Sequence, residues 1–524
     1  MKLTITALLV SSALASGSGL QTIVKIDSGL VAGSGTTVRS YKGIPYAAPP
    51  TGDLRWKPPQ PVKPWSVVRA AKTFPNNCPQ MTFVPGPQSE DCLGLNVWTP
   101  SRSSSDKLPV MIWIHGGGFF FGSSAQTVFD GEALAAQGVV VVSINYRLGI
   151  FGFLAHPALS KESPQGVSGN YSLLDMIAAL RWVNRNIAAF GGDPGNVTIF
   201  GQSAGGTAVC LLLVAPEAKG LFQRAVSESA AWINTPLSRL REPSFGHKAA
   251  EEVGESLGPD IAALRAKNTA EIMKLGGGPM TDPEMPIIDG VVLPDDPGQL
   301  FASGKFHNVS LIAGTTLDEA TLFITPVKDQ ATLRSLAGEM LGAGADTVLK
   351  AYGAASDAEA REVAAQVTGD WIFLQGARVV LRATSKTNPQ LFQYRFTHVN
   401  GVGRRNRLGA YHSSEIAYVF ATLPDSEFGM APSMFGNFSV AADSYNDQDE
   451  QLSQAMSAAW VRFAKTGDPN GPGLPKWPSF RQEEAYLEFG DHIVLGNALR
   501  KVQIDLLTDF ADKWRTGTAA PSPR

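Results

Sequence analysis

Residues 197–213 read VTIFGQSAGGTAVCLLL. A β-branched apolar run stops at Gly201, a lone hydroxyl at Ser203 stands between glycines, and a helix-like run resumes at Thr207. Strand, sharp turn and helix in that order suit a serine that must stand clear of its own backbone. Only tiny residues two positions either side allow such a turn, as in Gly201-x-Ser203-x-Gly205. A serine hydroxyl is a poor nucleophile until a base takes its proton. The helix that begins at Ala204 points its first N–H groups toward negative charge near Ser203.

G-x-S-x-G alone is a weak signal in a glycine-rich chain; its surroundings strengthen it. Upstream, the strand-like run PVMIWI ends in His115-Gly116-Gly117-Gly118-Phe119, a glycine loop able to bring backbone N–H groups to a developing oxyanion. The rival reading, a phosphate loop, requires G-x-x-x-x-G-K-[ST], and no lysine follows either glycine run. A serine of this layout needs an acid and then a histidine further along. Of the seven histidines, His398, His412 and His492 lie late enough. His412, in GAYHSSEIAYVF after a strand and a loop, is placed to reach across; His398 directly follows its strand and His492 sits in a terminal GDH turn, which suits structural roles. The strand NVSLIAG is followed by TTLDE, and the physics of the residues leaves Asp318 and Glu319 both open as the acid.

Working outward, residues 109–230 alternate strand-like and helix-like patterns. VVVVSINYR is a second apolar run. In SLLDMIAALRWVNRNIAAFGG, Leu173, Met176, Leu180, Val183, Ile187 and Phe190 recur at helical spacing until Gly191-Gly192. QRAVSES, NVSLIAG and LFQYRF are later strand candidates. Near-continuous apolar strands separated by helices predict an α/β protein with a mostly parallel sheet covered on both faces. About 233–300, rich in Pro, Gly and Ala, and about 325–385, mainly helix-like, break the rhythm. We expect one large domain in which these stretches are insertions that form a cap over the sheet.

The chain has 524 residues, 44% of them hydrophobic and 17% charged, enough for a sizeable core. A net charge of −3 argues against nucleic acid or an anionic membrane as the main partner. The start MKLTITALLVSSALASG combines Lys2, an apolar stretch and Ala13-Leu14-Ala15, which predicts a secretory leader over residues 1–15. No later run is long and apolar enough for stable membrane insertion, and the tail GTAAPSPR carries no hydrophobic anchor. Three cysteines fit export. Cys78 and Cys92 enclose a short proline-rich loop and are expected to pair, closing a loop worth about 3 kcal/mol; Cys210 is left as a buried thiol. N-x-S/T sequons stand at Asn170, Asn196, Asn308 and Asn437, the last two the better glycan acceptors.

Taken together, the residues resemble a type-B carboxylesterase of the cholinesterase-like branch of α/β-hydrolases. The matching stretches run over nearly the whole chain: YKGIPYAAPPTGDLRW, SEDCLGLNVWTP, HGGGF, NYRLGIFGFL, GNYSLLD, NIAAFGGDPGNVTIFGQSAGG, LDEATLF, YHSSE and WVRFAKTGDPN. The resemblance implies the α/β-hydrolase fold and a catalytic set of Ser203, Glu319 and His412, the acid being the second residue of the D-E pair. It also implies an oxyanion hole from the N–H groups of Gly117, Gly118 and Ala204, a Cys78–Cys92 disulfide, and structural ion pairs of Arg55 with Glu90 and Arg147 with Asp175. Ser229 is implied as a hydrogen-bond partner near the acid and histidine, with Gln202 beside the nucleophile. Where the family has D-E-G, this chain has Asp318-Glu319-Ala320. The implied substrate is a small-molecule ester, with no metal or cofactor.

Three other readings stand beside this one. A non-catalytic relative would typically lack the serine or the histidine, and here both are present. A cholinesterase proper relies on a tryptophan in the disulfide loop and an acidic residue before the serine. This loop has no tryptophan and the neighbour is Gln202, which favours a neutral ester. A lipase acting on insoluble acylglycerols is the third, since Phe119-Phe120-Phe121 beside the glycines could form an apolar wall.

Overall fold

The apolar runs become short strands buried on both faces, which is why successive residues of one strand serve two different cores. In the strand Leu108–Ile114, Val110, Ile112 and Ile114 face one core while Met111 and Trp113 face another. The computed structural model describes residues 22–515 apart from 82–83, 236, 245, 277–283, 325–326, 354–355 and 424–444. The expected leader at 1–15, the sequon Asn437 and the tail 517–524 lie outside the described residues.

A three-stranded sheet contains β1 (Ile23–Ile26), β2 (Gly29–Ala32) and β4 (Arg69–Ala70). A ten-stranded sheet contains β3 (Arg39–Pro45), β5 (Gly94–Thr99), β6 (Leu108–Ile114), β7 (Val140–Ile144), β8 (Gly192–Gln202), β9 (Arg224–Glu228), β10 (Ser310–Thr316), β11 (Leu391–Phe396), β12 (Ala485–Phe489) and β13 (Ile493–Asn497). Its order is β13-β12-β11-β10-β9-β8-β6-β7-β5-β3. Pairing is parallel from β7 across to β12 and antiparallel at both edges, β5 with β7 and β3, and β12 with β13. The mostly parallel sheet is as expected. Helices lie against it, giving the α/β-hydrolase architecture. The antiparallel edges were not foreseen.

On one face packs the helix Tyr171–Asn186, continued by a 3-10 turn at Ile187–Phe190, through Leu173, Met176, Leu180, Val183, Ile187 and Phe190. Gly191 ends it at φ 81°, a left-handed position that glycine adopts without a Cβ penalty. On the other face Met456, Trp460 and Phe463 of the helix Asp447–Thr466 meet Trp113, Phe200 and Val226. The helices Gln330–Leu341, Ala345–Tyr352 and Ala360–Gly369 share a third apolar cluster with Lys501–Arg515.

This topology sets the site. The glycine loop follows β6, Ser203 follows β8, Ser229 follows β9, Glu319 follows β10, and the His412 loop follows β11. All five leave the carboxyl ends of parallel strands, where open α/β sheets place their ligands.

Candidate active site

The turn after β8 forces Ser203 into φ 58°, ψ −125°, a strained position for a residue with a side chain. The helix Ala204–Val214 starts immediately after it. Two bonds hold the strain in place: Ser203 N–H donates to Glu228 O at 2.9 Å, and Thr207 N–H donates back to Ser203 O at 2.8 Å. The elbow also touches β6. A Cβ on Gly205 would lie 2.0 Å from Ile114 O, so only glycine lets the helix approach this closely.

The glycine loop is seated on the elbow. A Cβ on Gly116 would stand 2.7 Å from Gln202 O and 3.2 Å from Ser203 Cβ. Gly117, at φ 110°, accepts from Phe120 N–H at 3.1 Å and Phe121 N–H at 3.0 Å through its carbonyl. That turn leaves Gly118 at φ 60°, before the buried Phe119. His115 anchors the base of the loop. Its ring stacks on Tyr146 at 4.3 Å, and burial pushes its pKa down to about 4. The disulfide Cys78–Cys92 closes a loop that reaches the segment after the glycines. Within its loop, Gln80 Oε1 accepts from Gly122 N–H at 2.9 Å, and Gln80 Nε2 donates to Gly122 O at 2.9 Å.

Of the two acids left open by the sequence, only Glu319 reaches the histidine. Its Oε2 accepts from His412 Nδ1 at 2.5 Å, and its Oε1 accepts from Ser229 Oγ at 2.6 Å and Thr316 N–H at 2.7 Å. Asp318 turns away and accepts from Ala410 N–H at 2.8 Å, tying down the start of the histidine loop. With Nδ1 committed to Glu319, Nε2 is the ring atom left for base work. Among the described residues His412 has no hydrogen bond to Ser203; its close polar neighbour is the Gln202 amide. Such bonds commonly tighten only when substrate is bound. Phe373 lies 4.7 Å from the imidazole and Phe323 5.2 Å, centroid to centroid, making two aromatic walls.

The ion pairs implied by resemblance both form and are buried. Arg55 grips Glu90 at 2.6 and 2.8 Å, and Arg147 grips Asp175 at 2.7 and 2.8 Å. The latter pins the segment after β7 to the helix Tyr171–Asn186. Asn170 is fully buried and bonded to Ile287 and Asp289, so it is structural, and Asn196 bonds to Arg224. Asn308 is exposed.

The carboxylesterase family model matches residues 20–507. The chain belongs to the carboxylesterase family. It is a carboxylic-ester hydrolase. It is 42% identical over 488 residues to the fumonisin B1 esterase of Sphingopyxis macrogoltabida, covering 90% of this chain and 87% of that protein. It is 36% identical to the para-nitrobenzyl esterase of Bacillus subtilis (strain 168), covering 86% and 91% of the two chains. A solved PNB esterase superposes with a TM-score of 0.78 at 33% identity, over 93% of this chain and all of that one.

Behind the Glu319–His412 pair this carboxylesterase-family chain carries a feature that sequence reading missed. Glu228 and Glu415 are fully buried, and Ser229 Oγ, which donates to Glu319, is also 3.4 Å from Glu415 Oε1. Burial pushes Glu228 up to about 8 against the opposing bond from Trp460 Nε1–H. Burial, and then the charges of Glu319 and Glu228, pushes Glu415 well up. A carboxyl whose folded pKa exceeds its unfolded one favours the fold at low pH, and that contribution is lost as pH rises from about 4.5 through about 8. Glu228→Gln keeps the acceptor for Trp460 without the ionisation. Its thermal midpoint is therefore expected to fall less than the parent's between about pH 6 and about pH 9. Parallel melting curves at the two pH values check this.

Proposed function

We propose that this protein is a secreted serine esterase that cleaves neutral carboxylic esters through Ser203, His412 and Glu319. The observation that carries the reading is the buried Glu319–His412 bond at the same sheet edge as the strained Ser203 elbow. Ser203 Oγ attacks the ester carbonyl while His412 Nε2 takes its proton. The oxyanion is held by the N–H groups of Gly117, Gly118 and Ala204, the last at a helix N-terminus. His412 then protonates the departing alcohol, and water repeats the sequence to release the acid. Glu319 holds the ring in the tautomer with hydrogen on Nδ1 and stabilises the imidazolium.

The neutral-ester reading is supported by the uncharged groups that meet the imidazole apart from its partner Glu319: Gln202, Phe323 and Phe373. Phe373 belongs to the second inserted stretch, which favours a single domain whose insertions at 233–300 and 325–385 furnish pocket walls. The disulfide and the leader-like start favour export. A panel of p-nitrophenyl esters of rising acyl length, read beside emulsified acylglycerols, tests the substrate class. Saturating kinetics on soluble short esters are expected. A sharp rise in rate only above substrate solubility would replace this reading with a lipase.

A further inference from the structure

The Gln202 amide nitrogen lies 3.4 Å from His412 Nδ1 and 3.3 Å from Nε2. Those two ring atoms flank Cε1, so an atom nearly equidistant from both at this range would collide with Cε1 if it lay in the ring plane. The amide therefore rests on a face of the imidazole, while Glu319 occupies the in-plane position at Nδ1. The amide is itself fixed. Ser413 Oγ, on the residue next to the histidine, donates to Gln202 Oε1 at 3.0 Å, and Gln202 is buried. Ser413 sits at φ 75°, a left-handed conformation the loop adopts where it turns past the elbow.

We propose that Gln202, anchored by Ser413, is a positioning residue for His412, holding one face of the imidazole in place with a neutral group on that face. The inference rests on the triad reading above and adds what the residue beside the nucleophile does. A ring that must accept a proton from Ser203 and pass it to the leaving alcohol gains from having its swing restricted. A carboxylate in the place of this neutral amide would favour the imidazolium. Among the described residues, the titratable groups around His412 are few. Glu319 faces it directly, Glu228 and Glu415 are grouped behind Ser229 and Glu319, and Asp318 is turned onto Ala410 N–H. Phe323 and Phe373 bring no charge.

The test is the pH profile of kcat/KM for Gln202→Glu, together with kcat and KM for Ser413→Ala. Rates are expressed per active site titrated with a fluorophosphonate, so that misfolded protein does not count. The acid limb of Gln202→Glu is expected to move upward by about one pH unit. Ser413→Ala, which buries no new charge and tests the anchor separately, is expected to lose about tenfold in kcat with KM little changed. An acid limb that coincides with the parent's, or a Ser413→Ala variant with unchanged kcat, would overturn the proposal. Failure here with Ser203→Ala inactive leaves the triad standing; turnover retained by Ser203→Ala removes both.

Discussion

Ser203→Ala is expected to lower kcat/KM by about 10⁴-fold or more while the protein melts within a few degrees of the parent. Alanine adopts the φ 58° elbow no less readily than serine, and the bonds that brace the turn come from main-chain atoms, so the fold has no reason to change. What is lost is the atom that the proposed mechanism acylates. His412→Ala is expected to fall to a similar floor, since the proposed mechanism leaves the serine unactivated without this base. The double variant should then be no worse than either single one, because residues that act as a unit are not additive. Steady-state kinetics on one soluble ester, with melting curves alongside, check all three proteins. A Ser203→Ala enzyme that keeps more than a trace of activity would remove the assignment.

The second large effect is on stability. Gly205→Ala would place a Cβ 2.0 Å from Ile114 O and 2.8 Å from His115 O. Neither atom belongs to a flexible side chain, so the helix Ala204–Val214 would have to lift from β6, taking the Ser203 elbow with it. The expected cost exceeds about 4 kcal/mol, seen as a collapse of soluble yield or of the urea midpoint. Gly338→Ala is the matched control. It lies within the helix Gln330–Leu341 with nothing within 4 Å of its added Cβ, and should be neutral or stabilising by about 0.5–1 kcal/mol. Equal stability of the two variants would contradict the close packing of the elbow on the sheet.

How much of this was legible in the sequence depended on range. Gly201-x-Ser203-x-Gly205 could be read because a sharp strand-to-helix turn has local steric demands. The order of HGGG, LDE and YHSSE could be read because each follows an apolar strand. The long helix and its glycine stop followed from spacing alone. The choice between Asp318 and Glu319 could not be made from local pattern; resemblance favoured Glu319. In the structure the two acids part because one strand end aims Glu319 at His412 and the other carboxylate bonds Ala410 N–H. The Gln80–Gly122 clamp spans 42 residues and leaves no local trace. Nor do Glu228 and Glu415, which the sequence places far apart and the sheet brings behind one hydroxyl. The antiparallel edges escaped for a different reason: a short strand such as GLNVWT, wholly buried, has the same apolar look whichever way its neighbour runs.

The most direct measurement is the site of covalent modification by a fluorophosphonate, read by intact mass and peptide mapping on the folded protein. One adduct per chain is expected, on Ser203, with hydrolysis lost in proportion to labelling. Full loss of activity with Ser203 unmodified, or full labelling of Ser203 with activity retained, would contradict it.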